Sequence, residues 1–509
     1  MLFNSFAFLF VYLPLALAGY FWLGRYHPRW PAAWLALASL VFYAYWDVRY
    51  LPLLLGSICI NYWCGRAIAA ARPAARKRWL AGALAANLGL LAYYKYANFF
   101  IDSVNSASGA GWPDLNIVLP IGISFFTFTQ IAFLVDCQRG EVKEYRFIHY
   151  ALFVSYFPHL IAGPVLHHKE MMPQFADPAN TRPLASNFAI GLSIFVVGLA
   201  KKVLIADNIS PMVGPVFAAG AHPQLLEAWI GLLAYTFQLY FDFSGYSDMA
   251  IGLSRLFGVK LPLNFNSPYK SRNISEFWRR WHMSLSRFLR DYLYIALGGS
   301  RAGPLRRYRN LMLTMLLGGL WHGAGWTFVI WGGLHGVYLV LHHAWQGLAA
   351  GWFSQRSARR WPLAGAAPTF FAVMLGWVFF RAPDLASAFD VLGALGGANG
   401  VSLPRGLASQ AHWFTQLGLA PAFNGIRWID FSTLEIPTLM VAMLLAFAAP
   451  NTQEIFFHYQ PCIERIFQNK GRLALVWSPS KRWSLTFVAL FIACVFGMNR
   501  VSEFLYFQF

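Results

Sequence analysis

Long apolar runs separated by short polar or basic segments dominate this chain. A run of about 20 apolar residues is long enough to cross the roughly 30 Å hydrocarbon core of a bilayer as a helix. Twelve such spans are predicted, at residues 2–24, 31–47, 50–66, 79–100, 117–137, 185–206, 226–248, 310–331, 334–349, 362–380, 433–449 and 483–499. The pattern predicts an all-α polytopic membrane protein with about 10–12 transmembrane helices, folded as a single integral-membrane domain over residues 1–509.

Three segments depart from this simple pattern. The apolar run 147–166 is interrupted by Pro158, His159 and Pro164, which favours a re-entrant or half-inserted hairpin. Residues 275–294 have helical periodicity, with Ser275 as the predicted N-cap and an apolar stripe facing inward, so we predict an interfacial helix. The two short spans that carry His322 and His335 either cross the membrane or dip into it and return.

Composition and charge narrow the class of protein. The chain is 58% hydrophobic and only 12% charged, too few charges to cover a soluble surface of 509 residues. Its net charge of +19 comes from basic clusters in alternate loops, a distribution typical of a membrane protein rather than a nucleic-acid-binding protein. Threading the spans places every cluster on the cytoplasmic face. We therefore predict an inner-membrane protein with both termini on the periplasmic side.

Neither processing nor metal binding is indicated. The first 18 residues contain no Lys or Arg, so the first span is interpreted as a retained helix rather than a signal peptide. The five cysteines are scattered without metal-ligand spacing, and we predict no metal site and no bound cofactor. Neither a phosphate-binding loop nor a Gly-x-Ser-x-Gly nucleophile motif is present in the sequence.

The most informative motif is Gly319-Leu-Trp-His-Gly-Ala-Gly-Trp326. It places His322 inside an apolar segment, among tryptophans and glycines. A titratable group at membrane depth is energetically costly and tends to persist where it has a function. One interpretation is a packing histidine bonded to a carbonyl group. The surrounding Trp321, Trp326 and Trp331 favour a shaped pocket with His322 as its reactive group.

Charged residues supply the other candidates. Residues 255–309 contain twelve Lys and Arg but two acids, so this basic segment binds either anionic lipid or a phosphorylated cytoplasmic donor through Arg279 and Arg280. His282 lies at the edge of the apolar stripe. Asp242 and Asp248 are predicted at the cytoplasmic end of a span, where they orient an imidazole or form an ion pair. Lys201 and Lys202, near the outer end of their span, must snorkel or line a cavity.

Together these motifs resemble a known family. The segments that carry the resemblance are 156–164, 242–248, 264–269, 277–285, 290–294, 320–323 and 504–509. In this order they are similar to the membrane-bound O-acyltransferases, and most similar to the bacterial branch that modifies alginate or teichoic acid. The resemblance implies a multi-helix fold with a central funnel or tunnel. It also implies that His322 is the essential intramembrane histidine and His282 a second, more variable position.

The resemblance further implies a reaction. A cytoplasmic thioester, for which acetyl-CoA is the expected donor, supplies an acetyl group to hydroxyls of a secreted polysaccharide, with alginate favoured over cellulose, peptidoglycan or another exopolysaccharide and over D-alanyl transfer. We expect His322 to act as general base. Donors for the oxyanion would be the indoles of Trp281 or Trp321, or the His282 ring. An acyl-histidine relay is an open alternative.

Partners and competing classes complete the expectations. We expect periplasmic polysaccharide-acetylation proteins and membrane lipid as partners, and no nucleic acid. The aromatic tail 501–509 either docks such a partner or folds back into the bundle. A transporter with His322, Lys201 and Lys202 along a permeation path is the competing class, and a scaffold that recruits a separate transferase is another.

Overall fold

The computed structural model describes residues 1–301, 303–349, 362–416, 421–428, 433–465, 475–498 and 504–505. These residues form helices and connecting loops, with one isolated β-bridge between Ser402 and Ala422. Each of the predicted spans has a helix at its centre. The structure therefore confirms the all-α class for the part of the chain that it describes.

The helices, numbered in chain order, have the following bounds. The first half contains α1 Leu13–Gly24, α2 Trp30–Ala44, α3 Leu51–Ala70, α4 Pro73–Leu91, α5 Ala97–Ser108, α6 Ile123–Arg139, α7 Phe147–Ser155, α8 His168–Ala176, α9 Ala185–Ala200, α10 Asp207–Ile209, α11 Gly214–Phe217 and α12 Leu225–Leu256. The second half contains α13 Ile274–Trp278, α14 Met283–Phe288, α15 Pro304–His322, α16 Trp326–Ala349, α17 Pro362–Arg381, α18 Leu385–Leu395, α19 Ala411–Gln416, α20 Glu435–Phe447, α21 Thr452–Ile455 and α22 Lys481–Gly497.

Several helices carry large apolar side chains on their outer faces. Leu485 and Phe496 on α22 are 70% and 76% exposed, and Leu15, Ile60 and Leu444 are also exposed. Apolar patches of this extent are unfavourable in water and are accommodated by lipid. By length and composition alone, two helical stretches, Val48–Ala70 and Ala185–Met212, are long and apolar enough to cross a membrane.

Glycines allow close contact in the antiparallel helix pair α9 and α12. A methyl group on Gly252 would lie 2.6 Å from the Gly191 carbonyl oxygen, and one on Gly245 would lie 2.8 Å from that of Gly198. Both distances are too short for a real contact, so these positions require glycine. Small residues of this kind allow close packing of membrane helices, where burial of apolar surface contributes little. α12 has 32 residues, longer than the predicted span, so Asp242 and Asp248 lie inside it rather than at its end.

The second close pair is the hairpin of α15 and α16. A side chain on Gly319 would collide with the Phe328 carbonyl, and one on Gly332 with the Met315 carbonyl. The turn between the helices comprises residues 323–325. The predicted boundary between spans 310–331 and 334–349 was therefore wrong. His322 is the last residue of α15 rather than a residue in the middle of an apolar span.

The interrupted run 147–166 turns back on itself, in agreement with the predicted hairpin, and its insertion into the membrane stays a prediction. α7 ends at Ser155, an irregular segment follows, and α8 begins at His168. The irregular segment is buried over residues 156–166, and Ile161 near its tip lines the same cavity as His322. Non-helical backbone at this depth is tolerated because protein surrounds it.

The predicted helix over 275–294 is broken. α13 is capped by Asn273, whose side chain accepts from the Glu276 amide, so the predicted N-cap Ser275 was wrong. The chain turns at residues 279–282, α14 follows, and residues 289–294 form a π-helical turn. The predicted apolar stripe is nevertheless buried, including Phe277, Leu285 and Phe288.

Candidate active site

His322 lies at the floor of a cavity of about 120 Å³. Its ring is packed on several sides, with ring centroids 5.0 Å from Trp321, 5.1 Å from Trp331 and 5.3 Å from Phe380. The rest of the lining comes from elements distant in sequence, namely Trp46, Lys95, Leu119–Phe125 and Ile161. We call this cavity the outer cavity. Of the three tryptophans that the motif predicted, Trp321 lines it together with Trp46, whereas Trp331 packs against His322 without lining the cavity.

Of the three predicted tryptophans, Trp326 does not contact His322. Its ring is 54% exposed and lies 5.6 Å from that of Phe99. Trp321 lines the outer cavity and stacks on Phe128 at 5.2 Å. Trp331 separates His322 from His335, because its ring lies about 5 Å from both imidazoles.

The structure brings His282 close to His322, with ring centroids 6.3 Å apart. His282 is fully buried and has left-handed backbone angles, φ 42° and ψ 54°. Such a conformation costs a non-glycine residue of order 1–3 kcal/mol and persists only where its surroundings enforce it. The break between α13 and α14, which the sequence did not indicate, is what turns this ring towards His322.

Asn264 enforces that conformation. Its Oδ1 atom accepts from Ser284 Oγ at 2.6 Å and lies 3.3 Å from His282 Nδ1, and its carbonyl oxygen accepts from the Met283 amide at 3.0 Å. With Nδ1 donating to Asn264, Nε2 of the neutral His282 ring is the acceptor. Asn264 belongs to a recognised motif, but its role as the anchor of His282 was not predicted.

Trp281 lies elsewhere. It is buried in an aromatic cluster, with ring centroids 5.0 Å from Phe265, 5.0 Å from Trp377 and 5.6 Å from Phe277. Within the part of the chain that the structure describes, Trp281 has no ring contact with His322. Its predicted role as an oxyanion donor is not supported by this position, whereas Trp321 directly adjoins His322.

A larger chamber of about 690 Å³ lies at the other end of α15. Its volume falls within the range of small-molecule sites, roughly 300–1,000 Å³. Met315, at its inner end, is seven residues before His322, about 10 Å along the helix at 1.5 Å per residue. Its rim is basic, with side chains from Arg279, Arg287, Arg290 and Arg307. We call it the arginine chamber.

The arginines differ in their partners. Arg287 forms a bidentate pair with Glu170 at 2.7 and 2.9 Å, and Arg290 pairs with Asp291. Arg279 and Arg307 have no carboxylate partner among the described residues, so both are available to an anionic ligand. Arg280 does not line the chamber. It pairs with Glu276 at 2.8 Å and donates to the Asn266 carbonyl.

Asp242 and Asp248 do not approach the histidines. Asp242 pairs with Lys202 at 2.7 Å, and Asp248 pairs with Lys201 at 2.6 Å. The partner of each is a lysine of the adjacent π-helical turn rather than an imidazole or an arginine. Lys201 and Lys202, which were predicted to lie near the outer end of a membrane span, are thus accommodated by ion pairs between helices.

Two polar residues near the site were missed by the motif analysis. Lys95 lines the outer cavity and is 9% exposed, and His335 is fully buried. Neither ring nitrogen of His335 has a hydrogen-bond partner among the described residues. Both residues lie inside predicted apolar spans, so the cost of a polar group in the membrane was the available signal. No arrangement of three or more metal-ligating side chains is found in the described part of the chain.

Comparison with known proteins defines the class. The sequence model of the membrane-bound O-acyltransferase family matches residues 124–382, which include His282, His322, Trp321 and all lining residues of the arginine chamber except Glu464. The chain belongs to this family, and it is an O-acyltransferase of the membrane. The predicted family, fold class and enzyme class are thereby confirmed.

Its relatives act on several polymers. The peptidoglycan O-acetyltransferase of Helicobacter pylori is 48% identical over 90% of each chain. The probable alginate O-acetylase AlgI of Pseudomonas putida is 40% identical over 100% of both chains. The teichoic acid D-alanyltransferase of Bacillus subtilis is 29% identical over 45% of this chain and 60% of its own.

Proposed function

We propose that this protein transfers an acetyl group from acetyl-CoA, bound in the arginine chamber, to hydroxyls of a secreted polysaccharide that approach from the outer cavity. The observation that carries the proposal is the placement of α15. This helix begins at the rim of a basic chamber and ends with His322 at the floor of a separate cavity. The His322 imidazole therefore lies between a site suited to a polyanionic donor and a site open to an acceptor.

In the proposed reaction His322 is the general base. The imidazole takes the proton of an acceptor hydroxyl while the hydroxyl oxygen attacks the thioester carbonyl carbon. The tetrahedral intermediate then collapses, the C–S bond breaks, and the thiolate leaves with the proton that His322 returns. General-base catalysis of this kind contributes typically 10²–10⁴-fold. The products are an acetyl ester and free coenzyme A.

The distribution of cavity residues supports an inner-membrane topology with both termini periplasmic. In that topology His322 lies at the outer end of α15, Trp46 just after the outer end of α2 and Leu119 just before the outer end of α6, and all three line the outer cavity. Residues 275–311 of the chamber lie at the cytoplasmic end, where acetyl-CoA is available. Reporter fusions after Asp114 and after Arg301 test this arrangement. Periplasmic activity after Asp114 and cytoplasmic activity after Arg301 are expected.

Alginate is the acceptor we favour, because the relative named for alginate matches this chain over its whole length. Peptidoglycan is the second candidate, because the relative named for it has the higher identity, 48%. Periplasmic acetylation proteins are proposed as partners that complete the transfer to the polymer. Acetyl content of alginate and of peptidoglycan, measured in a deletion strain, separates the two acceptors.

His322→Ala tests the proposed chemistry. We expect loss of thiol release from acetyl-CoA by the purified protein, and loss of polymer acetylation in cells, without loss of folded protein. A transporter or a scaffold would not release thiol at all in the unaltered protein. Normal acetylation by a well-folded His322→Ala variant would contradict the mechanism.

Arg279→Gln and Arg307→Gln test the donor site. Each should raise the KM for acetyl-CoA, and added salt should raise it further, because exposed charges are screened. Arg280→Gln is the matched control, since its guanidinium faces Glu276 and Asn266 rather than the chamber. An equal rise in KM for all three variants, or for none, would contradict the assignment of the chamber.

A further inference from the structure

The end of α15 raises a problem of hydrogen bonding. The last four carbonyl groups of an α-helix have no partner within the helix. In α15 these belong to Gly319, Leu320, Trp321 and His322. The chain leaves the helix in an extended conformation at Gly323, with φ −155° and ψ 149°. These carbonyls therefore need partners from elsewhere in a buried, water-poor region.

Two adjacent residues supply most of those partners. Lys95 Nζ lies 2.6 Å from the Trp321 carbonyl oxygen and 3.1 Å from that of His322. Tyr96 Oη donates to the Leu320 carbonyl at 2.8 Å. The remaining carbonyl, that of Gly319, accepts from the Gly323 amide. The dipeptide Lys95-Tyr96, here named the carbonyl clamp, thus satisfies three of the four terminal acceptors.

Lys95 is committed to this contact. An ammonium group has three donors, and the third lies 3.4 Å from Ser124 Oγ. No carboxylate pairs with Lys95 in the part of the chain that the structure describes. A cation is also favoured at a helix C-terminus, where the carbonyl dipoles leave a partial negative charge. The π-helical turn 92–96 directs both clamp side chains towards α15.

The clamp acts on the residue that carries out the proposed chemistry. It binds the backbone of His322 itself and of the two residues before it, so it fixes the position from which the imidazole projects. The ring cannot compensate for a shift by rotating, because Trp321, Trp331 and Phe380 surround it. Functional groups require placement within about 0.5 Å, and a misplacement of 1 Å can cost about 10²-fold in rate.

We propose that Lys95 and Tyr96 are positioning residues that hold the helix terminus bearing His322 in register with the two substrate sites. This inference rests on the proposed role of His322 as general base. It assigns to a lysine and a tyrosine a role that neither motif matching nor family membership provides. The hydrogen bonds from the clamp to α15 reach main-chain oxygens only, and Lys95 also forms part of the wall of the outer cavity.

The test compares steady-state thiol release from acetyl-CoA by purified variants in lipid nanodiscs. Lys95→Met should lower kcat by about 100-fold, and Tyr96→Phe should lower it by a smaller factor. The KM for acetyl-CoA should be unchanged, because the arginine chamber lies at the other end of α15. Lys95→Arg retains a cationic donor and should recover part of kcat. Tyr93→Phe, in the same π-helical turn but with an exposed ring, is the matched control and should be unaltered.

The outcomes separate the inference from the proposed function. The kcat of the double variant Lys95→Met/Tyr96→Phe should be only slightly lower than that of Lys95→Met, since the two residues act as one unit. Unchanged kcat in a folded Lys95→Met variant overturns the inference while leaving His322→Ala to test the base. If Lys95→Met does not accumulate, unchanged kcat in Tyr96→Phe overturns it instead. A loss of kcat/KM that comes from a raised KM for acetyl-CoA, rather than from a lower kcat, would also overturn it.

Discussion

Two buried lysines of this protein, Lys95 and Lys202, are held in opposite ways. Each lies in a π-helical turn, a feature that interrupts an otherwise continuous helix. Lys202 is 1% exposed and pairs with two carboxylates, at 2.7 Å to Asp242 and 2.9 Å to Asp207. Lys95 contacts only neutral oxygens among the described residues, two of them the main-chain carbonyl oxygens of Trp321 and His322.

The difference in partners indicates different roles for Lys202 and Lys95. The carboxylates around Lys202 join α9, α10 and α12, so its charge is used to hold helices together. A buried cation with neutral acceptors gains less in stability, and it is therefore retained for what it positions. The same residue type thus has a structural role at one π-helical turn and, as we propose, a role in catalysis at the other.

The largest effect is expected for Lys202→Met. This change leaves Asp242 and Asp207 buried without their cation, and breaking a buried ion pair costs about 3–5 kcal/mol. The variant should accumulate poorly and melt at a much lower temperature, as measured by fluorescence-detected size exclusion after heating. Adding Asp242→Asn should recover part of the loss. A Lys202→Met protein as stable as the unaltered one would remove the distinction between the two lysines.

Removal of residues 504–509 should have the next largest effect. Phe504 is buried with Lys202 Nζ 4.7 Å from its ring centroid, and the Leu505 amide donates to Asp242 Oδ2 at 3.0 Å. A hydrogen bond to a charged group contributes about 1.5–3 kcal/mol. We expect the melting temperature and the amount of folded protein to fall together, with activity per folded molecule preserved.

Of the two alternatives that the sequence left open for the aromatic tail, the structure favours packing into the bundle for the part of the tail that it describes. Phe504 and Leu505 fold back into the bundle, whereas residues 501–503 and 506–509 lie outside the described residues. Phe504→Ala separates the alternatives. Lower stability favours packing, whereas normal stability with loss of partner co-purification would restore the docking interpretation.

The sequence was sufficient to predict the presence of the helices and the burial of His322. Apolar runs report burial directly, and an imidazole within such a run is conspicuous, so both could be predicted without a structure. The helix boundaries near the site could not. α15 ends at His322 because the chain turns at Gly323, and Gly319 and Gly332 then let α15 and α16 pack closely. The backbone of His282 is left-handed because Asn264 holds it.

Partners distant in sequence were the other limit. Lys95 and the Trp321 carbonyl are 226 residues apart, and no local pattern connects them. The energetic cost of placing Lys95 within the apolar span 79–100 was a usable signal, but its main-chain acceptors cannot be recognised from the sequence. In contrast, Asp242 and Asp248 were recognised in a motif, yet their pairing with lysines required the packing of α9 against α12.

A smaller effect, on turnover rather than stability, is expected for Ser124→Asp. The new carboxylate would lie near Lys95 Nζ, which is 3.4 Å from Ser124 Oγ, and would give this lysine the ionic environment of Lys202. Because the new carboxylate would draw Lys95 away from the carbonyl groups at the end of α15, Lys95 should hold His322 less well. The kcat should therefore fall about tenfold, equivalent to about 1.4 kcal/mol. Stability should not fall. Ser124→Asn is the uncharged control of similar size, and equal kcat in the two variants would argue against the clamp.

The smallest effect is expected for Lys201→Met, which tests whether any lysine of the α9–α12 seam behaves like Lys202. The Lys201 side chain is 14% exposed, and its partner Asp248 also accepts from Thr452 and from Gln453. Asp248 therefore keeps two donors when the lysine is lost. Because Asp248 stays hydrogen-bonded although the pair is mostly buried, the expected cost is smaller than the about 3–5 kcal/mol of a buried pair left without any partner, seen as a modest decrease in melting temperature with unchanged kcat. A loss as large as that of Lys202→Met would show that the number of remaining partners does not govern the stability of this seam.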